Sequence, residues 1–386
     1  MSNTKTVFNR TTVKSQENTN SPLILYICHY LLPLRLKFLY IMANYFNAEQ
    51  VLSDFKNWNQ LLKQYQRPST GKAIIQILNS FSFYIGLWVL QFFLFDYSVF
   101  FTIIIAALNG LLLGRIFIIQ HDCGHRSFTR SQTANDIIGT ICSVCTVIPY
   151  KYWAKAHDFH HAHNGQLEVS DIGDVECLTT EQYNELSTWG KVKYRIYRSP
   201  FYLFTIGGFI YVVLYNRFAF LREGGFEKVK KSVTISNVVF IAMYAVFAYL
   251  LGVKKFLLVQ FINLFFFGTY ALWFFYIQHQ YENIYKNSKE NWNYVLSAIK
   301  GSTYYNLPRP FHWLTGNIGF HHIHHLCPTI PNYNLPKCHK NTPLFEKHVV
   351  TINFWESLKT VRANLWDAKE QRMISFGENS RRKKAA

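Results

Sequence analysis

The chain has 386 residues, of which 49% are hydrophobic, 18% aromatic and only 16% charged. This composition is typical of a membrane protein with several spans and sizeable water-facing parts, and it argues against two soluble domains. The formal net charge is +18, but no nucleic-acid-binding motif accompanies it and the basic residues are spread over loops. The positive-inside rule, by which Lys and Arg accumulate on the cytoplasmic side of membrane spans, therefore explains the net charge better than a nucleic-acid partner does.

The N-terminal region departs from the rest of the chain. Residues 1–41 begin with a polar stretch and continue with an apolar one that contains Pro33 and basic residues and has no small-residue cleavage site, which argues against a signal peptide. Met42 begins an amphipathic lead-in at 42–72. One hypothesis is that translation starts at Met42 and that residues 1–41 are a poorly ordered or spurious extension.

Four apolar segments are long enough to cross a bilayer, which takes about 20 residues. They are residues 73–95, 97–119, 234–252 and 256–278. Short turns join the first two and the last two, so the predicted fold is an all-α integral membrane protein with two helical hairpins. We expect residues 73–340 to form the membrane and catalytic domain, followed by a basic cytoplasmic tail at 341–386.

The distribution of Lys and Arg predicts the orientation of these spans. Residues 1–72 carry 9 of them, 120–233 carry 13 and 279–386 carry 15, while the hairpin turns hold only Lys254 and Lys255. Both termini and the central loop are therefore expected in the cytoplasm.

Two further apolar stretches, 137–149 and 201–215, are too short or too interrupted to span comfortably. We interpret them as interfacial or re-entrant helices. A full span at 201–215 would place the histidine clusters described next on opposite sides of the membrane.

The chain has seven cysteines, an odd number, and their spacing does not match that of a disulfide framework. Cys142 and Cys145 have the spacing of a redox or metal pair, but they lie in an apolar run without a second pair. We interpret these two cysteines as packing residues. The absence of a disulfide pattern favours a protein whose cysteines face a reducing cytoplasm.

Nine of the fifteen histidines lie just outside the predicted spans and are candidate metal ligands. They are His121, His125, His157, His160, His161, His279, His321, His324 and His325. Spacings of three and four residues put the members of each cluster on one helical face. The third cluster also contains His322, at the edge of that face, and the choice between His321 and His322 stays open. His279 ends the fourth span at the same membrane depth as His121.

Nine imidazoles exceed the needs of one ion, but shared between two ions they supply four or five ligands each. Imidazole suits iron, copper, zinc and nickel, so the spacing does not name the metal. No His-Glu-x-x-His motif favours zinc hydrolysis, and a redox-active metal pair that activates dioxygen is the preferred interpretation. The groups that could accept an imidazole N–H or hold a bound water are His322, Asn317, Asp122, Asp158, Asp171, Asp174 and Glu282.

These residues resemble the membrane fatty acid desaturase family, in particular its bacterial acyl-lipid branch. The similarity covers about residues 70–340 and includes His-Asp-Cys-Gly-His at 121–125, His-Asp-Phe-His-His at 157–161 and Gln-His-Gln-Tyr-Glu at 278–282. The most specific part is the run from Asn317 to Leu335, which contains His-His-Ile-His-His.

The resemblance implies a centre of two iron ions held by the three histidine clusters and His279, on four spans with a cytoplasmic helical cap. It implies that O2 and two electrons convert two adjacent methylenes of an acyl chain, with phospholipid-linked chains preferred, into a double bond. We see no haem-binding module, so an external donor such as a ferredoxin-like carrier is expected. The implied location is a bacterial inner membrane.

Two alternatives remain open. A fatty acyl hydroxylase or related oxygenase would use the same histidine pattern, because the two reactions diverge only after the first hydrogen abstraction. A non-catalytic membrane metal-binding protein would carry ionisable residues inside its spans, where Arg115 is the only Lys or Arg.

Overall fold

The computed structural model describes residues 47–169, 175–221 and 225–385. Residues 49–386 form one compact unit. The proposed extension at 1–41 lies outside the described residues.

The described part of the chain is predominantly helical, with four short strands in its C-terminal quarter. The elements up to the last long helix are α1 (Ala48–Asp54), α2 (Trp58–Leu62), α3 (Thr70–Leu94), α4 (Val99–Gly124), α5 (Gln132–Thr146), α6 (Tyr150–His163), α7 (Thr180–Glu185), α8 (Thr188–Tyr197), α9 (Gly208–Val213), α10 (Glu227–Leu251) and α11 (Val253–His279). The remaining elements are α12 (Tyr294–Lys300), β1 (Thr303–Tyr305), α13 (Arg309–Leu314), α14 (His321–Leu326), α15 (Leu335–Lys340), α16 (Leu344–His348), β2 (Val350–Ile352), α17 (Phe354–Thr360), β3 (Leu365–Asp367), β4 (Arg372–Ile374) and α18 (Phe376–Ala385).

Among the described residues, four single helices, α3, α4, α10 and α11, are long and apolar enough to cross a membrane, which confirms the four predicted spans. Ser98 begins α4 by accepting a hydrogen bond from the Phe101 N–H at 3.4 Å. Gly252, with φ +89°, makes the turn between α10 and α11. Asp96 and Lys255, one from each hairpin turn, form a salt bridge. Both turns therefore lie at one end of the bundle, as expected for two hairpins.

Buried amides fix the spans against one another. Asn263 on α11 donates to Gln91 on α3 at 2.7 Å and accepts from Asn109 on α4 at 3.0 Å. A Cβ added at Gly110 would lie 2.7 Å from the Phe266 Cβ, so α4 and α11 are in close backbone contact there. In an apolar bundle, such hydrogen bonds and small residues hold helices in register. They set the positions of the opposite ends of α4 and α11, where His121 and His279 lie.

The two shorter apolar stretches belong to bent segments. Helices α5 and α6 meet at 99°, and α8 meets the segment 202–217 at 60°. Residues Tyr202–Gly207 form a π-helix that leads into α9. Gly208 at the start of α9 packs against Gly268 on α11 so closely that a Cβ would clash with the Gly268 carbonyl.

The part of the chain after α11 folds over the ends of the spans as a cap. Strand β1 pairs with β2 in parallel, and β3 pairs with β4 as an antiparallel hairpin. Trp366 on β3 is 1% exposed. The C-terminal region with its basic residues therefore contributes ordered strands and helices to the cap. In the bundle, Cys142 is buried in the main apolar core and Cys145 packs against it, as packing residues would.

Candidate metal centre

Four helices deliver the candidate histidines to one place at the end of the bundle that faces the cap. His121 lies in the last turn of α4, and His125 caps that helix. Three more histidines lie on α6, His279 is the last residue of α11, and α14 begins at His321. All nine side chains come within contact distance of other members, although they are spread over about 200 residues of sequence.

One set of five side chains forms the first half of the centre. The five-histidine group consists of His121, His125, His157, His161 and His324, whose ligand nitrogens lie within 4.8 Å of one another. The Nε2 atoms of His121 and His324 are 2.9 Å apart, and those of His157 and His161 are 3.1 Å apart. The five nitrogens therefore surround a single small volume.

A set of four forms the second half. His160, His279 and His325 offer nitrogens within 4.8 Å of one another. His321 joins them, because its Nε2 atom lies 2.8 Å from that of His279 and 3.0 Å from that of His325. We call these residues the four-histidine group. The rings of His161 and His325 stack with centroids 4.2 Å apart, so the two groups adjoin.

Hydrogen bonds orient the imidazole at the end of α4. The Nδ1 atom of His121 lies 2.9 Å from a carboxylate oxygen of Asp122. The other oxygen of Asp122 accepts from the backbone and the side-chain amide of Asn332, at 2.6 and 2.8 Å. Gln76 on α3 in turn donates to Asn332 at 3.0 Å. The sequence prediction included Asp122 but missed Asn332, which lies inside the most specific run of the family resemblance.

A backbone carbonyl orients a second imidazole, and an exposed carboxylate lies near a third. His279 donates from Nδ1 to the Gly301 carbonyl at 3.0 Å. His125 has its Nδ1 atom 3.3 Å from a carboxylate oxygen of Asp158, whose side chain is 56% exposed. No sequence signal marked Gly301, because a backbone carbonyl carries no residue identity.

Other candidates lie outside the two groups. His322 points away from them, with its Nε2 atom 3.2 Å from His339 Nδ1. Glu282 accepts from Arg372 at 3.1 Å. Asn317 has φ +59° and precedes α14, so the expectation that it shares a helical face with His321 was wrong; its amide donates to the Asn332 carbonyl. Asp171 and Asp174 lie outside the described residues.

The donor set fits a cation. The Nε2 atom of His279 faces those of His321, His325 and His160 at 2.8, 3.1 and 3.3 Å. With its Nδ1 proton donated to Gly301, His279 presents a lone pair at Nε2. Burial lowers the pKa of His321 and of His325 well below the usual range, which keeps these rings neutral. Nitrogens about 2.1 Å from one ion at angles of 90–109° would be about 3.0–3.4 Å apart, close to these separations.

A largely apolar cavity of about 620 Å³ reaches the centre from within the bundle. Its walls come from α4, α6, α9 and α11, and Gly114, Phe117, Trp153 and Phe267 are among its lining residues. His121, His157 and His321 also line it, so both histidine groups border the same space. This size lies within the range of small-molecule sites, and the lining suits a hydrocarbon chain.

A membrane-spanning bundle with a histidine centre open to an apolar cavity defines the class as an integral membrane metalloprotein.

The model of the fatty acid desaturase family matches residues 98–355. The chain is 38% identical over 321 residues to a fatty acid desaturase of Bacillus subtilis (strain 168), which covers 82% of this chain and 90% of the relative. It is 27% identical over 285 residues to an sn-1 oleoyl-lipid 12-desaturase of Picosynechococcus sp., with 71% and 79% covered. A chloroplastic omega-6 fatty acid desaturase of Arabidopsis thaliana is 26% identical over 289 residues, with 70% and 60% covered.

The chain belongs to the fatty acid desaturase family. It is accordingly an oxidoreductase of fatty acyl chains with a metal cofactor, and the membrane spans and the histidine centre agree with that assignment.

Proposed function

We propose that this enzyme introduces a double bond into the acyl chain of a membrane lipid, using O2 and two electrons at a centre of two iron ions. In the balanced reaction the chain loses two hydrogens from adjacent carbons, two electrons and two protons are supplied, and O2 leaves as two waters. The observation that carries the proposal is the largely apolar cavity that His121, His157 and His321 help to line.

The nine histidines are the proposed ligands, with the five-histidine group around one iron and the four-histidine group around the other. Imidazole is a common ligand of iron, and the two sets leave room for a small oxygen ligand. Bound iron would supply the redox chemistry that activates O2. Asp122 and Gly301 would hold the rings of His121 and His279 with Nε2 directed at the metal.

The cavity walls would select and position the substrate. An acyl chain lying along Gly114 and Phe117 would follow α4 towards His121. His121 is seven residues after Gly114, two helical turns further on, and therefore lies on the same helical face. The surrounding aromatic side chains exclude water and hold one pair of carbons at the centre. The similarity to oleoyl-lipid desaturases supports a lipid-linked substrate, and we propose a phospholipid as the lipid.

We further propose that the cap and both termini face the cytoplasm of a bacterial inner membrane. The excess of Lys and Arg on the histidine side of the spans supports this orientation. It would also give a separate ferredoxin-like electron carrier access to the basic cap, while the two hairpin turns lie at the opposite end of the bundle.

Expression in a host that lacks polyunsaturated lipids tests this function. We expect mass spectrometry of the host lipids to show chains that have lost two hydrogens, and none in a host that makes the His160→Ala variant. Chains that have gained one oxygen would instead identify a hydroxylase. A purified protein that holds zinc but no iron would favour the non-catalytic alternative.

A further inference from the structure

A second cluster of rings lies beside the centre and contains none of the nine proposed ligands. This outer ring cluster consists of Tyr304, His312, Phe320, His322, His339 and Phe345. His322 is the chain neighbour of His321 and is 0% exposed. Its Nε2 atom lies 3.2 Å from Nδ1 of His339, and both rings also contact Tyr304. None of these rings takes part in the proposed metal ligation or in binding of the acyl chain.

The outer ring cluster connects the protein surface to the four-histidine group. His339 lies on α15 and is partly exposed. From His339 the contacts continue to the fully buried His322, and one peptide bond joins His322 to His321. His321 is in turn 2.8 Å from His279 within the group. Between His339 and His321 the path contains one hydrogen-bond contact and otherwise only covalent bonds.

The surface around His339 is mainly basic. Lys337 and Lys340 on α15 are both exposed, and so is Arg309 at the start of α13. Helix α13 packs His312 on Phe320, and α15 packs His339 on Tyr304, so the two helices adjoin the same pair of stacked rings. Glu346 is an exposed acid close to His339. Three cations against one anion suit a partner with an acidic surface.

We propose that an acidic one-electron carrier docks on the face formed by α13 and α15, and that electrons enter through His339 and His322 towards His321. This inference rests on the proposed function, which requires two external electrons for each double bond. Each docking oxidises one reduced carrier by one electron, which passes to the metal centre, so two dockings supply one turnover. His322 and His339 thus act as electron-path residues and not as ligands.

The test uses full-length iron-loaded protein in detergent and reduced plant-type [2Fe–2S] ferredoxin as the probe. Anaerobic stopped-flow absorbance follows ferredoxin oxidation for wild type, K337E/K340E, His322→Phe and His339→Phe. K191E/K193E, with the same change of charge on α8, and His163→Phe are the matched controls. Dithionite reduces the same samples without protein docking, and ferredoxin binding is also measured on metal-free protein.

We expect K337E/K340E to slow ferredoxin oxidation about tenfold or more at low salt, with the difference shrinking at high ionic strength. It should also weaken ferredoxin binding to metal-free protein. His322→Phe and His339→Phe should bind ferredoxin normally but be reduced more slowly at saturating ferredoxin. All variants should keep the wild-type rate with dithionite.

Rates that match the control variants would overturn the assignment of this face and path. Failure of the proposed function has a different signature. In that case wild-type protein itself would hold no iron, or its iron would not be reduced by dithionite.

Discussion

His279 and Gly301 are joined by a 3.0 Å hydrogen bond from the imidazole Nδ1 to the backbone carbonyl. A carbonyl oxygen only accepts hydrogen bonds, so it fixes the proton on Nδ1 and leaves the Nε2 lone pair free. That lone pair faces three other imidazoles, and His279 is 0% exposed. A residue that looks isolated in the sequence is therefore central to the four-histidine group.

Replacing His279 with Ala should remove a metal ligand without removing the membrane span. We expect the iron content to fall by about half or more and the desaturation rate to fall about 100-fold or more, since even residues that only support ligands cost 10–100-fold. Elemental analysis and lipid profiling measure both quantities. His163→Ala is the control, because His163 stacks on Phe159 outside the centre. Equal iron contents in the two variants would contradict the assignment.

Replacing Asp122 with Asn should weaken the metal site through His121. The carboxylate is 2% exposed and accepts from both Asn332 groups, so an amide cannot reproduce all of its contacts. We expect iron affinity to fall about 10–100-fold, as measured by competition with a chelator. The matched change Asp158→Asn concerns an exposed carboxylate and should have a much smaller effect. A similar loss in both variants would show that charge, not orientation, is what matters.

A methyl group at Gly208 should destabilise the bundle. The added Cβ would clash with the backbone of Gly268, which cannot move aside as a side chain can. We expect Gly208→Ala to cost about 1–3 kcal/mol and to lower the melting temperature in detergent. Gly86→Ala is the control, since its Cβ would meet nothing within 4 Å. A melting temperature unchanged by Gly208→Ala would refute the close helix contact.

His312 should make metal-free protein less stable in acid. Burial lowers the pKa of His312 to about 4, whereas the unfolded chain binds the proton near pH 6.5. Between these values only the unfolded state is protonated, so the contribution of His312 to stability falls as the pH falls, by up to about 1.4 kcal/mol per pH unit. His312→Phe should therefore lose less melting temperature than wild type between pH 6.5 and 4.5. Parallel pH profiles would contradict this.

The spans were predictable because hydropathy and helix length are local properties of the sequence. The third cluster was only partly predictable, since spacing on an ideal helix could not separate His321 from His322. In the structure α14 begins at His321, which turns His321 towards His279 and His322 towards His339. Asn317 lies in a left-handed turn that no helical pattern indicates.

The hydrogen bonds that orient the proposed ligands could not be predicted from the sequence, because they join parts of the chain that meet only after folding. Asp122 and Asn332 are separated by 210 residues and meet only once the chain after α11 folds over α4. The Gly301 carbonyl belongs to the backbone, so its role follows from the path of the chain and not from the residue type. Long-range packing, which spacing does not encode, decides both.

Mass spectrometry of the acyl chains formed by purified iron-loaded protein with phospholipid, O2 and reduced ferredoxin tests directly whether this enzyme is a desaturase. We expect wild type to form lipid-linked chains that have lost two hydrogens and the His160→Ala variant to form none. Chains that have gained an oxygen atom, or products that persist with His160→Ala, would contradict it.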